Sequence, residues 1–323
     1  MEPENLISWF HTLAEDLRQS GTPAEITSGL ACIHYNLAEI TKDCDIWIPP
    51  ASLGTFKEIV AQRTWRSTHA VHRSRLSAPL DPRWLDGGWS SHIIWPGPPQ
   101  AQIDIFGRLP RVTTHTGTGI FSNEETLARV KMTQRDKDWS TVHLLGERLL
   151  AKKNPEGLLF LRTAESLLQA RKRTANETWD AQTAIRPLLA SLNNAPGLPL
   201  LDACLRIEKA FWQRVDNLRI EQYQKAVKEY AKASAEILRT KTHLVEQDAA
   251  LTRLAENTLP QRPLQDTAEQ IIAMAEEQTL VAVDQTQFNV LWLPTDWAKT
   301  TLESCYAPPE IAKDPTQHRK CRR

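Results

Sequence analysis

Apolar residues recur at helical spacing over 4–19, where Leu6, Phe10, Leu13 and Leu17 share a face with Ile7 and Ala14 beside them. An amphipathic helix is predicted there, ended by Gly21 and Pro23. A short extended piece over 24–27 runs into Ser28-Gly29, and a second helix is predicted over roughly 30–38. Between 43 and 48 the period changes to two. Asp43, Asp45 and Trp47 fall on one face, and Cys44, Ile46 and Ile48 on the other. That pattern is a strand with one buried face, and Pro49-Pro50 stops it. Ser52 is placed to cap a helix reaching about Gln62. Residues 63–89 show no clear period and are rich in Arg, His, Trp and Pro. Two strands, 91–95 and 102–106, flank Pro96-Gly97-Pro98-Pro99, which reads as the turn of a hairpin.

The character changes at Ser122, which with Glu125 has the spacing of a capping box and opens a helix. Most of the chain from there to about Glu256 is helical in pattern. An apolar seam runs from Cys204 through Ile207, Phe211, Val215, Leu218, Tyr223, Val227 and Tyr230, in a segment free of Pro and Gly from 201 to 258. It predicts one long helix or a helical pair, with packing as the role of the seam. A late strand is expected over 288–293 and a last helix capped by Thr295. The polar, basic tail from Pro308 is expected to be disordered. The order implies an α+β chain: a small mixed-sheet core with its following helix (1–150), a mainly α-helical domain (151–307) and the tail (308–323).

Composition narrows the function classes. The 323 residues are 41% apolar, and Lys plus Arg balance Asp plus Glu at 39 each, so bulk charge names no partner and any nucleic-acid contact needs a local patch. The five cysteines form no C-x-x-C pair, which argues against a zinc knuckle and a disulfide framework and for free thiols. His69 and His72 form an H-x-x-H with no companion ligands, and read as two partly exposed loop histidines. Glu2, Glu4, Glu15 and Asp16 stand where a signal peptide would be basic and then apolar, and no apolar run approaches a membrane span, so a cytoplasmic protein without membrane contact is expected.

The candidate chemistry lies in the strands. Asp43 and Asp45, two apart on a strand, leave from one face. Carboxylates that close repel each other unless a cation lies between them, and hard ions such as Mg²⁺ favour such ligands. Asp104 sits between Ile103 and Ile105 in an otherwise apolar strand. If that strand pairs near the first, three carboxylates can hold two metal ions about 3.5–4 Å apart, the spacing of two-metal nucleotidyl transfer. Ser28-Gly29, at the junction of a short strand and a helix, suits phosphate.

The run Thr27-Ser28-Gly29-Leu30-Ala31, then Thr41-Lys42-Asp43-Cys44-Asp45, then Ile103-Asp104-Ile105, resembles the signature of DNA polymerase β-type nucleotidyltransferases. The Thr-Lys-Asp-x-Asp form is similar to the nucleotidyltransferase toxins of abortive-infection (AbiE-type) toxin–antitoxin systems. Lys131, Arg135, Lys137 and Asp138 resemble a Lys-rich, Arg-x-Lys-Asp helix of that branch, which would put Lys131 and Arg135 on one helical face. The resemblance covers roughly residues 20–150. It implies Asp43, Asp45 and Asp104 as catalytic ligands of two Mg²⁺ ions. It also implies an NTP donor held by Ser28, Gly29, Lys42, Lys131 and Arg135, to which Arg73 and Arg75 are added as cations suited to the triphosphate. The acceptor stays open between RNA (a tRNA 3′ end foremost), a protein side chain and a small molecule; a cognate antitoxin is the expected protein partner. Ser28 stands where the family carries the first of two glycines, which keeps a second reading open: a decayed nucleotidyltransferase fold serving as a binding or regulatory module.

Other features carry weaker expectations. Arg63, Arg66, His69, His72, Arg73 and Arg75 form a basic cluster suited to triphosphate or RNA backbone, or simply an exposed polar loop. Trp84 and Trp89, beside Gly87-Gly88, are the tryptophans best placed to stack on a base.

Overall fold

The computed structural model describes residues 5–41, 43–113, 115, 119–194, 197–281 and 292–306. In chain order the elements are α1 (Leu6–Gln19), β1 (Glu25–Thr27), α2 (Ser28–His34), β2 (Cys44–Trp47), α3 (Leu53–Gln62), β3 (Thr64–Trp65), β4 (Thr68–His69), β5 (Val71–His72), α4 (Pro82–Leu85), β6 (Ser90–Trp95) and β7 (Ala101–Phe106). Helices follow: α5 (Glu124–Val130), α6 (Asp138–Ala151), α7 (Ala164–Arg173), α8 (Asn176–Ile185), α9 (Leu198–Thr240), α10 (Leu244–Thr258), α11 (Ala268–Val281) and α12 (Thr295–Tyr306). The expected α+β class is observed, with a five-stranded mixed sheet followed by a large helical region.

The sheet order is β1-β2-β7-β6-β5. The two strands with carboxylates, β2 and β7, are parallel neighbours, and the β6–β7 hairpin is antiparallel as expected. Alternation sets the faces: Cys44, Ile46, Ile93, Ile103 and Ile105 are buried on one side. Against them pack Phe10, Leu13 and Leu17 of α1 and Phe56 and Val60 of α3. The same core takes Val227 and Tyr230 from α9 and Leu244 and Leu251 from α10, so late helices complete the packing of the early sheet. A second core gathers α5, α6, α11 and α12 around Phe211, Trp212 and Val215, and a third lies under Leu201, Cys204 and Leu205. Helix α9, 43 residues long, reaches all three, and α10 makes it the longer member of the expected pair.

Several local expectations are corrected. The second helix ends at His34, and Asn36 takes a left-handed φ of 55° just beyond it. Ser52 stands before α3 without a side-chain cap bond, because Pro50–Ser52 already forms a 3₁₀ turn. The N-cap of α5 is Asn123, whose side chain accepts from Thr126 N–H; the Ser122 hydroxyl instead donates to Glu25 at 2.7 Å. The stretch 63–89, which carried no periodic signal, contributes an edge strand to the sheet and a small hairpin. Most of the expected late strand, and the tail from 308, lie outside the described residues. Among the described residues, no helix is long and apolar enough to cross a membrane.

Candidate active site

Register brings the carboxylates together. Across the parallel β2–β7 pair Asp45 stands directly beside Asp104, and across the hairpin Asp104 faces His92. Asp43, at the entrance to β2, joins them on one wall of a cleft of about 440 Å³. Their neighbours Cys44, Ile103 and Ile105 point into the core, as alternation requires.

Burial pushes the Asp45 carboxyl up to about 7, with repulsion from Asp104 and then Asp43 adding to it, while a Ser28 hydrogen bond and the Lys131 charge pull it down. Like charges crowded onto one wall are the situation that a cation relieves. Asp104 also has close partners: its Oδ1 accepts from Arg73 Nη2 at 2.7 Å and lies 2.7 Å from His92 Nδ1. Among the described residues no three His, Cys, Asp or Glu side chains are already drawn into a metal-binding group. The donor set fits a hard divalent cation by chemistry, all of it carboxylate oxygen facing one space.

Ser28 and Gly29 line the same cleft. Ser28 has φ of +53°, the left-handed region that glycine enters freely and other residues only at a cost of about 1–2 kcal/mol. The serine thus holds a backbone conformation that a glycine would adopt without that cost. Gly29 is required for a different reason: a Cβ there would lie inside van der Waals contact of Thr41 Oγ1 and 3.1 Å from Thr41 Cβ. Thr41 in turn donates toward the carbonyl and the carboxylate of Asp43, at 3.2 and 3.3 Å. The turn and the first carboxylate are therefore packed as one piece.

The cleft also has a basic lining. Lys131, Arg135 and Lys137 line the cleft from the segment between α5 and α6, with Arg111 and Arg219 beside them. This segment corrects the expectation of a helix carrying Lys131 and Arg135. Helix α5 stops at Val130, and Asp138, the first residue of α6, gathers the loop. Arg135 Nη2 reaches Asp138 at 2.8 Å and Lys131 Nζ at 3.6 Å, and the Thr133 hydroxyl donates to it at 2.6 Å. Asp216 pins the base of the loop, accepting from Gln134 N–H at 3.0 Å, and holds Arg111 at 2.7 Å and Arg219 at 2.9 Å. Burial alone would raise the Asp216 carboxyl, but Arg219 and Arg111 outweigh it and hold it at about 2. Arg111, like Ser28, has a left-handed φ, +64°, so two residues in strained backbone meet at this cleft.

Of the residues expected to bind the donor, Ser28, Gly29, Lys131 and Arg135 line the cleft, and Arg73 reaches it through Asp104. Arg75 is exposed and is not among the lining residues; Lys42 lies outside the described residues. The basic cluster is not a patch. Arg63 pairs with Asp16, Arg66 donates to the Pro98 carbonyl, and His72 is buried between Ser77 and Asp248. Trp84 and Trp89 are not an exposed stacking pair: both indoles are buried and donate to the carbonyls of Leu259 and Pro260, and Trp89 also borders a cavity. Sequence reasoning missed His92, although the hairpin register gives it, since pairing Trp95 with Ala101 across the turn sets His92 opposite Asp104. It also missed the part that Asp216, 112 residues beyond Asp104, plays in holding Arg111 and Arg219; no local signal marks a contact of that range.

Comparison of the chain with protein-family models, with curated proteins and with solved structures finds no match.

Proposed function

We propose that the protein is a metal-dependent nucleotidyltransferase that moves NMP from an NTP to a hydroxyl acceptor and releases pyrophosphate. The observation that carries this reading is the cleft itself: Asp43, Asp45 and Asp104, the last two in direct register, line one space together with Lys131, Arg135 and Lys137. A cation-loaded triphosphate needs both kinds of group, carboxylates to hold the metal and cations to neutralise phosphate oxygens. Asp43 and Asp45 would hold two Mg²⁺ ions, with Asp104 completing the site of one. When bound, the ions would supply charge neutralisation and polarise the reacting oxygens. The Ser28-Gly29 turn and the basic loop hold the donor's phosphates. The acceptor oxygen attacks the α-phosphorus as the bond to pyrophosphate breaks. The acceptor proton passes to the Asp104 carboxylate, whose Oδ1 accepts from Arg73 and lies beside His92.

The same grip on Asp104 favours a second reading, a binding module in which the third carboxylate serves structure. Calorimetry with each NTP in the presence and absence of Mg²⁺, followed by transfer of α-labelled nucleotide to mixed acceptors, separates the two. Mg²⁺-dependent binding that Asp45→Asn abolishes, with label transferred, supports the enzyme. Binding in which every NTP is recovered unchanged supports the module, and no binding at all overturns both.

A further inference from the structure

A second cavity adjoins the cleft. It measures about 290 Å³ and shares Phe106, Pro110 and Arg219 with its neighbour. Its floor is the sheet: Ser90 pairs with Phe106 and His92 with Asp104 across the β6–β7 hairpin, and all four fall on one face. Its wall is one face of α9, made by Arg219, Ile220, Tyr223, Gln224 and Val227 at helical spacing. Trp89 closes one side, with its ring edge-on to Tyr223 at 5.2 Å between centroids. The lining is chiefly apolar and aromatic, and its polar groups sit at few points. That composition suits a flat ring oriented by a small number of polar contacts.

Position across the sheet gives the cavity a role. In the order β1-β2-β7-β6, the Ser28-Gly29 turn follows β1, Asp45 is on β2, Asp104 on β7 and His92 on β6. The cavity therefore lies on the side of Asp104 away from the turn assigned to the donor's phosphates. His92 lines it, and its Nδ1 lies 2.7 Å from Asp104 Oδ1. A ligand seated here would touch His92 and bring a substituent to Asp104.

We infer that this cavity receives an aromatic or heteroaromatic ring of the acceptor and presents a hydroxyl carried by the same molecule at Asp104. The inference rests on the nucleotidyl-transfer reading for its account of the hydroxyl, but the ring site is testable without transfer. His92 is then a positioning residue that fixes Asp104 while contacting the ring. The ring could belong to a nucleobase or to a phenol-type small molecule, and both present the same face to Trp89, Tyr223 and Phe106.

The test uses the full chain and two probes, adenosine and p-cresol, observed by saturation-transfer NMR and titrated without metal or NTP. Two variants fill the cavity from α9: Ile220→Trp, at a half-buried position outside the three cores, and Gln224→Trp, at an exposed position. Thermal melts of both establish folding. At least one probe should bind the wild type and weaken at least ~10-fold in either folded variant. Mg²⁺-dependent ATP binding should be unchanged in both variants. Adenosine alone binding identifies a nucleobase, and p-cresol alone a phenol-type ring. Failure of both probes to bind wild type, or equal binding by the variants, overturns the ring site while ATP binding still reports on the donor site. Loss of Mg²⁺-dependent ATP binding in both folded variants overturns the assignment to the acceptor. Ring binding without any ATP binding upholds the ring site and overturns the transfer reading alone.

Discussion

Replacing Gly29 with alanine adds a single methyl group, and the structure says what it meets. The new Cβ would penetrate Thr41 Oγ1 and stand 3.1 Å from Thr41 Cβ. Two responses are open. Thr41 can turn about χ1 to withdraw its hydroxyl, which breaks the contacts to Asp43 at 3.2 and 3.3 Å and forfeits about 0.5–1.5 kcal/mol. Otherwise the segment bearing Thr41 and Asp43 moves away from α2, an overpacking response that costs about 1–3 kcal/mol. Either way Asp43 leaves its place on the cleft wall. Gly29→Ala is therefore expected to lose about 0.5–3 kcal/mol of stability in urea titrations. Mg²⁺-dependent NTP binding should weaken at least ~10-fold, equivalent to about 1.4 kcal/mol. Adding Thr41→Ala removes the worst overlap and leaves the 3.1 Å contact, so the double variant should recover most of the stability lost and little of the binding, since Asp43 has still lost its partner. Wild-type stability and NTP affinity in Gly29→Ala would refute the claim that the turn and the first carboxylate are packed together.

Asp104→Asn should preserve the fold and reduce transfer at least ~10²-fold, because a metal ligand and proton acceptor is worth several kcal/mol in the transition state; turnover within a fewfold of wild type would remove Asp104 from the site. Cys44→Ala should cost about 1–2 kcal/mol by emptying a buried position under the sheet, yet leave NTP binding intact; lost binding at unchanged stability would mean that the assigned faces of β2 are wrong. Asp216, with its carboxyl lowered from 3.8 to about 2, contributes roughly 2 kcal/mol. The sign follows from the lowered folded value: the contribution is present in full above pH ~4 and disappears as the pH falls toward ~2. The stability gap between wild type and Asp216→Asn in urea titrations should narrow over that window, and a gap independent of pH would contradict the assignment.

How much of this was legible in the sequence depended on the range of the interaction. The period-two runs around Cys44 and Ile103 gave both strands and their faces, because alternation is dictated by the pleat alone. The hairpin followed from its turn. The carboxylate wall could then be anticipated, since Asp45 and Asp104 sit at matching positions on strands that pair. Loop conformation was not legible. The segment 131–137 has helix-forming residues, but Asp138 captures the Lys131 and Arg135 side chains and the Thr133 hydroxyl, and a turn wins. Trp84 and Trp89 stand in a polar, glycine-containing stretch that looks exposed. Their burial depends on carbonyls at Leu259 and Pro260, about 170 residues away. The arginines of 63–75 are close in sequence yet diverge in space, because short strands there alternate direction. Ser28 departs from the expected glycine, and its left-handed φ is one that glycine enters freely.

Helix α9 has a mechanical meaning. At 1.5 Å per residue its 43 residues make a rod roughly 65 Å long. Leu201 and Leu205 anchor one end, Phe211 and Val215 the middle, and Val227 and Tyr230 the sheet side, each in a different core. To slide or roll the rod would disrupt three packed interiors at once, so it acts as a fixed rail. Arg219, part-way along it, borders both cavities and keeps a constant distance from the sheet. The turn-rich stretch that carries Lys131, Arg135 and Lys137 is tied to the same rail, through Asp216 to Gln134 N–H and Lys209 to Asp136, so the basic groups of the cleft are held in place with it.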